Sequence, residues 1–287
     1  MTNSSKNRQI DKLFQLFGAI LTVLVLIVLV IFIYDIAKEG ITRLDWQFLS
    51  GKPSSISYKR AGIWPAIGGT LWIFVLTAII SIPVGVAAGI FFEEYLPKGR
   101  LSSLLELNLS NLAGVPSVIY GLLGLTIFKG ILGMKSANIV IAGAVTLSLL
   151  ILPIIIVATR EAIKAVPSSL KEASYGLGAS KWQTIWHTIL PSSIGGIMTG
   201  TILALSRAIG ETAPLLILGT VLFIKSAPSS LVDKFTVLPM QIFNWVGDRE
   251  EFMVNASAAI IVLLVITFMM NGIAIYIRNR AQKKIKW

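Results

Sequence analysis

The sequence predicts an all-α polytopic membrane protein with six transmembrane helices. Three observations carry that expectation. Of 287 residues, 55% are hydrophobic and only 14% charged, against about 25% charged in soluble domains. The mean hydropathy is +0.80. Six runs are long enough for a bilayer core, which needs about 20 apolar residues in a helix. They cover roughly 13–34, 66–92, 108–128, 137–158, 193–224 and 255–277. They are continuous rather than alternating, which excludes a β-barrel.

The first run is too long for a signal-peptide core and lacks a small-residue cleavage site after Tyr34, so it reads as a retained anchor. The second opens on Gly62-Ile63-Trp64-Pro65, with Pro83 inside it; Pro116 lies inside the third, and these prolines are expected to kink or break the spans near a pathway. A short helix is expected around Met240–Val246, and Trp46, Trp64 and Trp245 at the water interface. Gly85-x-x-x-Gly89 and Gly196-x-x-x-Gly200 allow close helix approach, within the chain or between subunits. Six spans leave both ends on one side. Segments on that side carry 14 Lys and Arg against 10 opposite, and the tail holds Arg278, Arg280, Lys283, Lys284 and Lys286 without an acid. Both termini are therefore expected to be cytoplasmic, and the net charge of +11 reads as topology and lipid contact, not nucleic acid.

Catalytic chemistry finds little footing. There is no cysteine and one histidine, His187. The nearest phosphate-loop match, Gly130-Ile131-Leu132-Gly133-Met134-Lys135-Ser136, lacks the Gly-Lys-Ser/Thr ending and follows a membrane helix. No base neighbours the intramembrane Ser206. No enzyme activity, metal or cofactor is expected.

Two features remain. The inside segment 159–192 holds two helix-start patterns, Ser169 with Glu172 and Ser180 with Gln183, separated by Gly176 and Gly178, with Pro191 expected to stop the second helix. The result is two short helices and a glycine turn. They suit either a knob gripped by another protein or an interfacial pair covering the bundle. The fifth run alone contains charges, Arg207 and Glu211, with Pro214 beyond them. Arg207 is expected roughly 20 Å into the span, where a guanidinium costs at least ~2.5–3.5 kcal/mol if it faces lipid. Two readings stay open: a structural pair, or a planar cation presented to an oxyanion.

Glu172-Ala173-Ser174, Gly178 and Leu190-Pro191 resemble the EAA loop of ABC importer permeases, with Ser174 and Thr188 as mild departures from that pattern. The stretches Gly62–Leu71, Ala113–Leu122 and Ser206–Leu216 resemble the phosphate permeases of that family, the PstA type more than its sister PstC. The resemblance implies the type I importer (MetI-like) fold and residues 66–278 as the transport domain. Residues 1–65 form an anchor helix with an outside segment, and 279–287 a basic tail. It implies Arg207 and Glu211 on a phosphate path, and Glu172, Ala173 and Gly178 at the ATPase contact. The implied partners are a homologous permease (PstC-like), a PstB-like ATPase dimer, an extracytoplasmic PstS-like phosphate-binding protein and membrane lipid, in a bacterial inner membrane. Alternatives are another oxyanion, such as molybdate or sulfate, and a non-transport membrane scaffold.

Overall fold

The computed structural model describes residues 3–97, 99–219 and 224–283. Residues 220–223 of the fifth expected span, and Lys284 and Lys286 of the tail, lie outside the described residues. Among the described residues the fold is entirely helical: α1 (Asn3–Gly40), α2 (Trp46–Ser50), α3 (Trp64–Ile90), α4 (Arg100–Ala113), α5 (Ser117–Leu125), α6 (Val140–Lys164), α7 (Ser168–Gly176), α8 (Lys181–Thr184), α9 (Leu190–Gly210), α10 (Ala213–Ile217), α11 (Leu238–Val246) and α12 (Met253–Lys283). Among the described residues five helices are long and apolar enough to cross a bilayer, and there are six crossings if the bent pair Arg100–Ala113 and Ser117–Ile131 counts as one span.

The buried centre is α6, flanked by α3 and α9. Small residues make both seams. A Cβ built on Gly85 or Gly89 of α3 would meet Ile155 or Thr159 of α6. One on Gly196 or Gly200 of α9 would meet Ala162 or Ala158 on another face of α6. Both Gly-x-x-x-Gly patterns thus serve packing within this chain, through van der Waals approach rather than hydrophobic transfer. α12 lies along α9, joined by Ser206 Oγ to Asn271 Oδ1 at 2.6 Å and Arg278 Nη1 to Thr199 Oγ1 at 3.1 Å. α1 stands apart. Its side chains from Leu13 to Tyr34 are exposed, and its last residue, Gly40, meets Ser257 and Ala258 at the start of α12.

α2 and α11 close one end of the bundle over Phe48, Ile63, Leu238, Trp245 and Phe252. α11 lies where the sequence suggested a short helix. Arg43 ties this end together, donating to the Lys59 and Ala61 carbonyls and pairing with Asp45 at 2.5 Å. The structure corrects one expectation here: Trp245 is 2% exposed and packs at 6.0 Å from Phe48, so it is core and not an interfacial anchor. Trp46 and Trp64 are exposed.

Three further expectations change. The third span is not one rod: α4 and the Ser117–Ile131 helix meet at 98°. Pro116 supplies the break, because a proline disfavours a helical residue before it and lacks an N–H. Pro83, by contrast, is carried inside α3 without interruption. The fifth span ends at Gly210 rather than running on to 224. Finally, Pro191 does not stop a helix. A wide turn at Ile185–Ile189 re-registers the chain, Pro191 falls in the first turn of α9, and Lys181–Gly210 is one continuous rod.

Candidate functional site

Arg207 occupies the last turn of α9, where a cation suits the helix dipole. Counted from Leu190, it lies about 26 Å along α9. Glu211 follows as the C-cap, with φ −76° and ψ 117°. Arg207 Nε donates to Glu211 Oε1 at 3.2 Å. The two side chains differ in exposure, Arg207 at 48% and Glu211 at 18%. Glu211 turns into a narrow cleft lined by Thr70, Thr77, Leu147, Leu215 and Val237. Arg207 turns outward, and its Nη atoms have no side-chain partner among the described residues.

Two broken helices frame the pair. α9 stops at Gly210, Thr212 holds the N-cap position of α10 without a side-chain cap, and Pro214 sits in the first turn of α10. α5 packs on α10 so closely that a Cβ on Gly121 would fall 2.6 Å from the Pro214 carbonyl oxygen. The bend before α5 is fastened by Tyr120 Oη, which donates to the Leu112 carbonyl at 2.9 Å. Tyr120 also lies within electrostatic reach of Arg207. Ala113–Leu122 and Ser206–Leu216, remote in sequence, therefore meet at one place. Interrupted helices around a polar group are how a membrane protein exposes irregular backbone to a cavity.

The elbow lies at the opposite end of the bundle. Ser180 caps α8 in a complete capping box with Gln183, as the sequence suggested. Ser169 does not cap α7: the helix starts at Ser168 after Pro167, without a side-chain cap, so that expected box is absent. Gly178, at φ +83°, makes the turn between α7 and α8, and Ser174 Oγ lies 2.9 Å from Thr184 Oγ1 across it. Glu172, Ala173 and Gly178 are all exposed, and Leu177 between them is 90% exposed. The structure thus gathers Glu172, Ala173 and Gly178 on one tip and Arg207 with Glu211 at a separate level; it does not join the two sets. Sequence reasoning missed Tyr120, Asn271 and the acidic pair Glu93-Glu94 at the end of the second span.

No group of three or more His, Cys, Asp or Glu side chains able to hold a metal occurs among the described residues. The architecture is that of a multi-pass membrane permease. Residues 81–283 match the binding-protein-dependent transport system inner membrane component family, and the chain belongs to it: it is an ABC importer permease. It is not an enzyme, since ATP hydrolysis in such importers lies in a separate subunit. The chain is 32% identical over 280 residues to the probable ABC transporter permease protein YqgI of Bacillus subtilis, covering 91% of this chain and 94% of that one. It is 34% identical over 199 residues to phosphate transport system permease protein PstA 1 of Mycobacterium tuberculosis, covering 68% and 64%. With PstA of Yersinia pestis it shares 30% over 243 residues, covering 84% and 81%. Among solved structures, a bacterial importer of the polysaccharide alginate superposes with TM-score 0.64 at 14% identity, covering 95% of this chain and 98% of that one. The inward-facing methionine transporter MetNI gives TM-score 0.58 at 17%, covering 77% and 94%. At such identities these two establish the fold alone: the MetI-like type I permease.

Proposed function

We propose that the chain is the PstA-type permease subunit of an ATP-driven phosphate importer, supplying half of the translocation pathway. The observation that carries this is Arg207. A guanidinium on a membrane-spanning helix is costly against lipid, up to about 2.5–3.5 kcal/mol at the helix centre on insertion scales, yet it is half exposed and turned out of the chain. That face needs an aqueous, anion-accepting lumen shared with a second subunit. A homologous PstC-like permease completes it. Arg207 offers the planar fork that matches a phosphate oxyanion, while Glu211 holds Nε and leaves Nη1 and Nη2 for the passing ion. The phosphate permeases among the relatives, and the stretches Ala113–Leu122 and Ser206–Leu216, support phosphate as the cargo.

In the same reading, a PstB-like ATPase dimer grips the elbow at Glu172, Ala173 and Gly178, placing it and both termini in the cytoplasm of a bacterial inner membrane. A PstS-like binding protein delivers phosphate at the α2–α11 end. Residues 66–278 form the transport core, 1–65 the anchor and its outside segment, and 279–287 the basic tail. ATP-driven closure of the ATPases pushes the elbow, and the rod Lys181–Gly210 tilts the end that carries Arg207. Uptake of labelled phosphate and labelled molybdate by vesicles holding the purified complex tests the assignment. ATP-dependent phosphate uptake is the expected result. Preference for molybdate overturns the cargo, and a complex without an ATPase overturns the docking role.

A further inference from the structure

The end of α3 does more than finish a span. Beyond Ile90 a wide turn carries Phe91–Tyr95, and four consecutive side chains there hold three cationic partners. Phe92 lies under the Arg160 guanidinium of α6, 5.6 Å from ring centre to charge. Glu93 pairs with the same Arg160 at 3.8 Å, and Arg160 reaches on to Glu106 of α4. Glu94 accepts a bond from Lys171 of α7 at 2.5 Å. Tyr95 receives Lys181 of α8 over its ring at 4.9 Å.

Among the described residues, the Lys171–Glu94 pair is the ion pair that joins the elbow to the bundle, and it is sheltered, with side-chain exposures of 23% and 7%. Exposed pairs are loose and screened. A pair withdrawn from water holds one geometry, because separation leaves a charge uncompensated. Its placement matters as much as its burial. Lys171 directly precedes Glu172, which is exposed at the tip, so adjacent residues of α7 face outward and back toward α3.

The elbow follows directly from α6 through residues 165–167, and two further attachments join it to the flanking helices. One is the rod Lys181–Gly210, which ends at Arg207 and Glu211. The other is to α3, the helix that packs on α6 beside α9, through the Lys171–Glu94 pair and through Ile90 against Ile185 and Ile189. Of the two contacts with α3, the ion pair is the one that reaches α7, where Glu172 lies. Building on the docking role proposed above for Glu172, Ala173 and Gly178, we infer that Lys171 and Glu94 are the positioning pair that carries the elbow's movement into α3, so that both flanks of α6 move together.

The test uses the whole importer complex in vesicles, with ATP hydrolysis, phosphate uptake and the amount of co-purifying ATPase measured side by side. Glu94→Gln and Lys171→Met are each expected to retain the ATPase and its hydrolysis but to move about tenfold less phosphate per ATP, within the range of residue-level coupling effects. The exchange Glu94→Lys with Lys171→Glu is expected to recover most of that ratio. Single variants with an unchanged ratio overturn the inference. So does an exchange variant that retains the ATPase without recovering the ratio, and so do single variants that lose the ATPase, which would make the pair part of the docking surface. The chain has no cysteine, so Glu94→Cys with Lys171→Cys permits a second measurement: bridging the thiols with a short bifunctional reagent is expected to raise phosphate moved per ATP, and no change upon bridging contradicts the tie. Failure of the docking role itself looks different: Gly178→Asp would leave ATPase binding undiminished.

Discussion

Replacing Gly200 by alanine should separate α9 from α6 by a calculable amount. The new Cβ would stand 2.1 Å from the Ala158 Cβ, where carbon atoms rest at about 3.5–4.0 Å. One helix must retreat by about 1.5 Å at that turn. Both flanks are backbone-borne methyls, so no flexible side-chain end can give way. Overpacking of this kind costs about 1–3 kcal/mol. At about 2–4 °C per kcal/mol for chains approaching this size, the midpoint of thermal unfolding in detergent should fall by several degrees. Ala158→Gly in the same chain removes the opposing methyl and should restore most of the loss. Gly272→Ala is the control, since nothing lies within 4 Å of its Cβ position, and it should be neutral or slightly stabilising. An unchanged midpoint for Gly200→Ala, or a double variant no better than the single, would refute the close α6–α9 seam.

Three other outcomes follow from the same geometry. Tyr120→Phe removes the bond to the Leu112 carbonyl that fastens the 98° bend, and should lower stability by about 1 kcal/mol, read by thermal unfolding. Ser180→Ala breaks the α8 capping box, costs about 1 kcal/mol locally, and should speed amide exchange at Trp182 and Gln183 while leaving α6 protected. Asp233, in the loop before α11, has its carboxyl lowered to about 2 by bonds from Ser229 and Ser230. A depressed acid stabilises above its ordinary value of 3.8 and loses that contribution as pH falls toward 2. Unfolding midpoints of the native chain and Asp233→Asn should therefore differ at neutral pH and converge near pH 2.

Much of this molecule was readable before any coordinates, and the limits have physical causes. Apolar runs mark spans because a bilayer core imposes a minimum length. Ser180, Gly178 and Pro214 announce a cap, a turn and a break because each acts on backbone within a few residues of itself. Proline was ambiguous where neighbours decide the outcome. Pro116 breaks a span, Pro83 does not, and Pro191 opens a helix because the wide turn before it shifts the register. Trp245 looked interfacial from its position in a loop, but Phe48, about 200 positions earlier, covers it. At the site, Arg207 and Glu211 were legible because charge in an apolar run is conspicuous. The ties at Glu93 and Glu94 were not, since their partners lie 67 and 77 residues away and no local pattern records such pairings.

The central claim is that Arg207 faces an anion path through the importer. Phosphate uptake at graded concentrations, in vesicles holding the complex with Arg207→Lys, Arg207→Gln or Glu211→Gln, tests it most directly. Each lost charge-assisted bond is worth about 1.5–3 kcal/mol, so Arg207→Gln should depress uptake at limiting phosphate by roughly 10–100-fold. Arg207→Lys should fall between it and the native chain, and Glu211→Gln should retain uptake with a changed concentration dependence. Native uptake in Arg207→Gln, or equal losses for Arg207→Gln and Glu211→Gln that are repaired when the two are combined, would contradict the claim and leave the pair as structure alone.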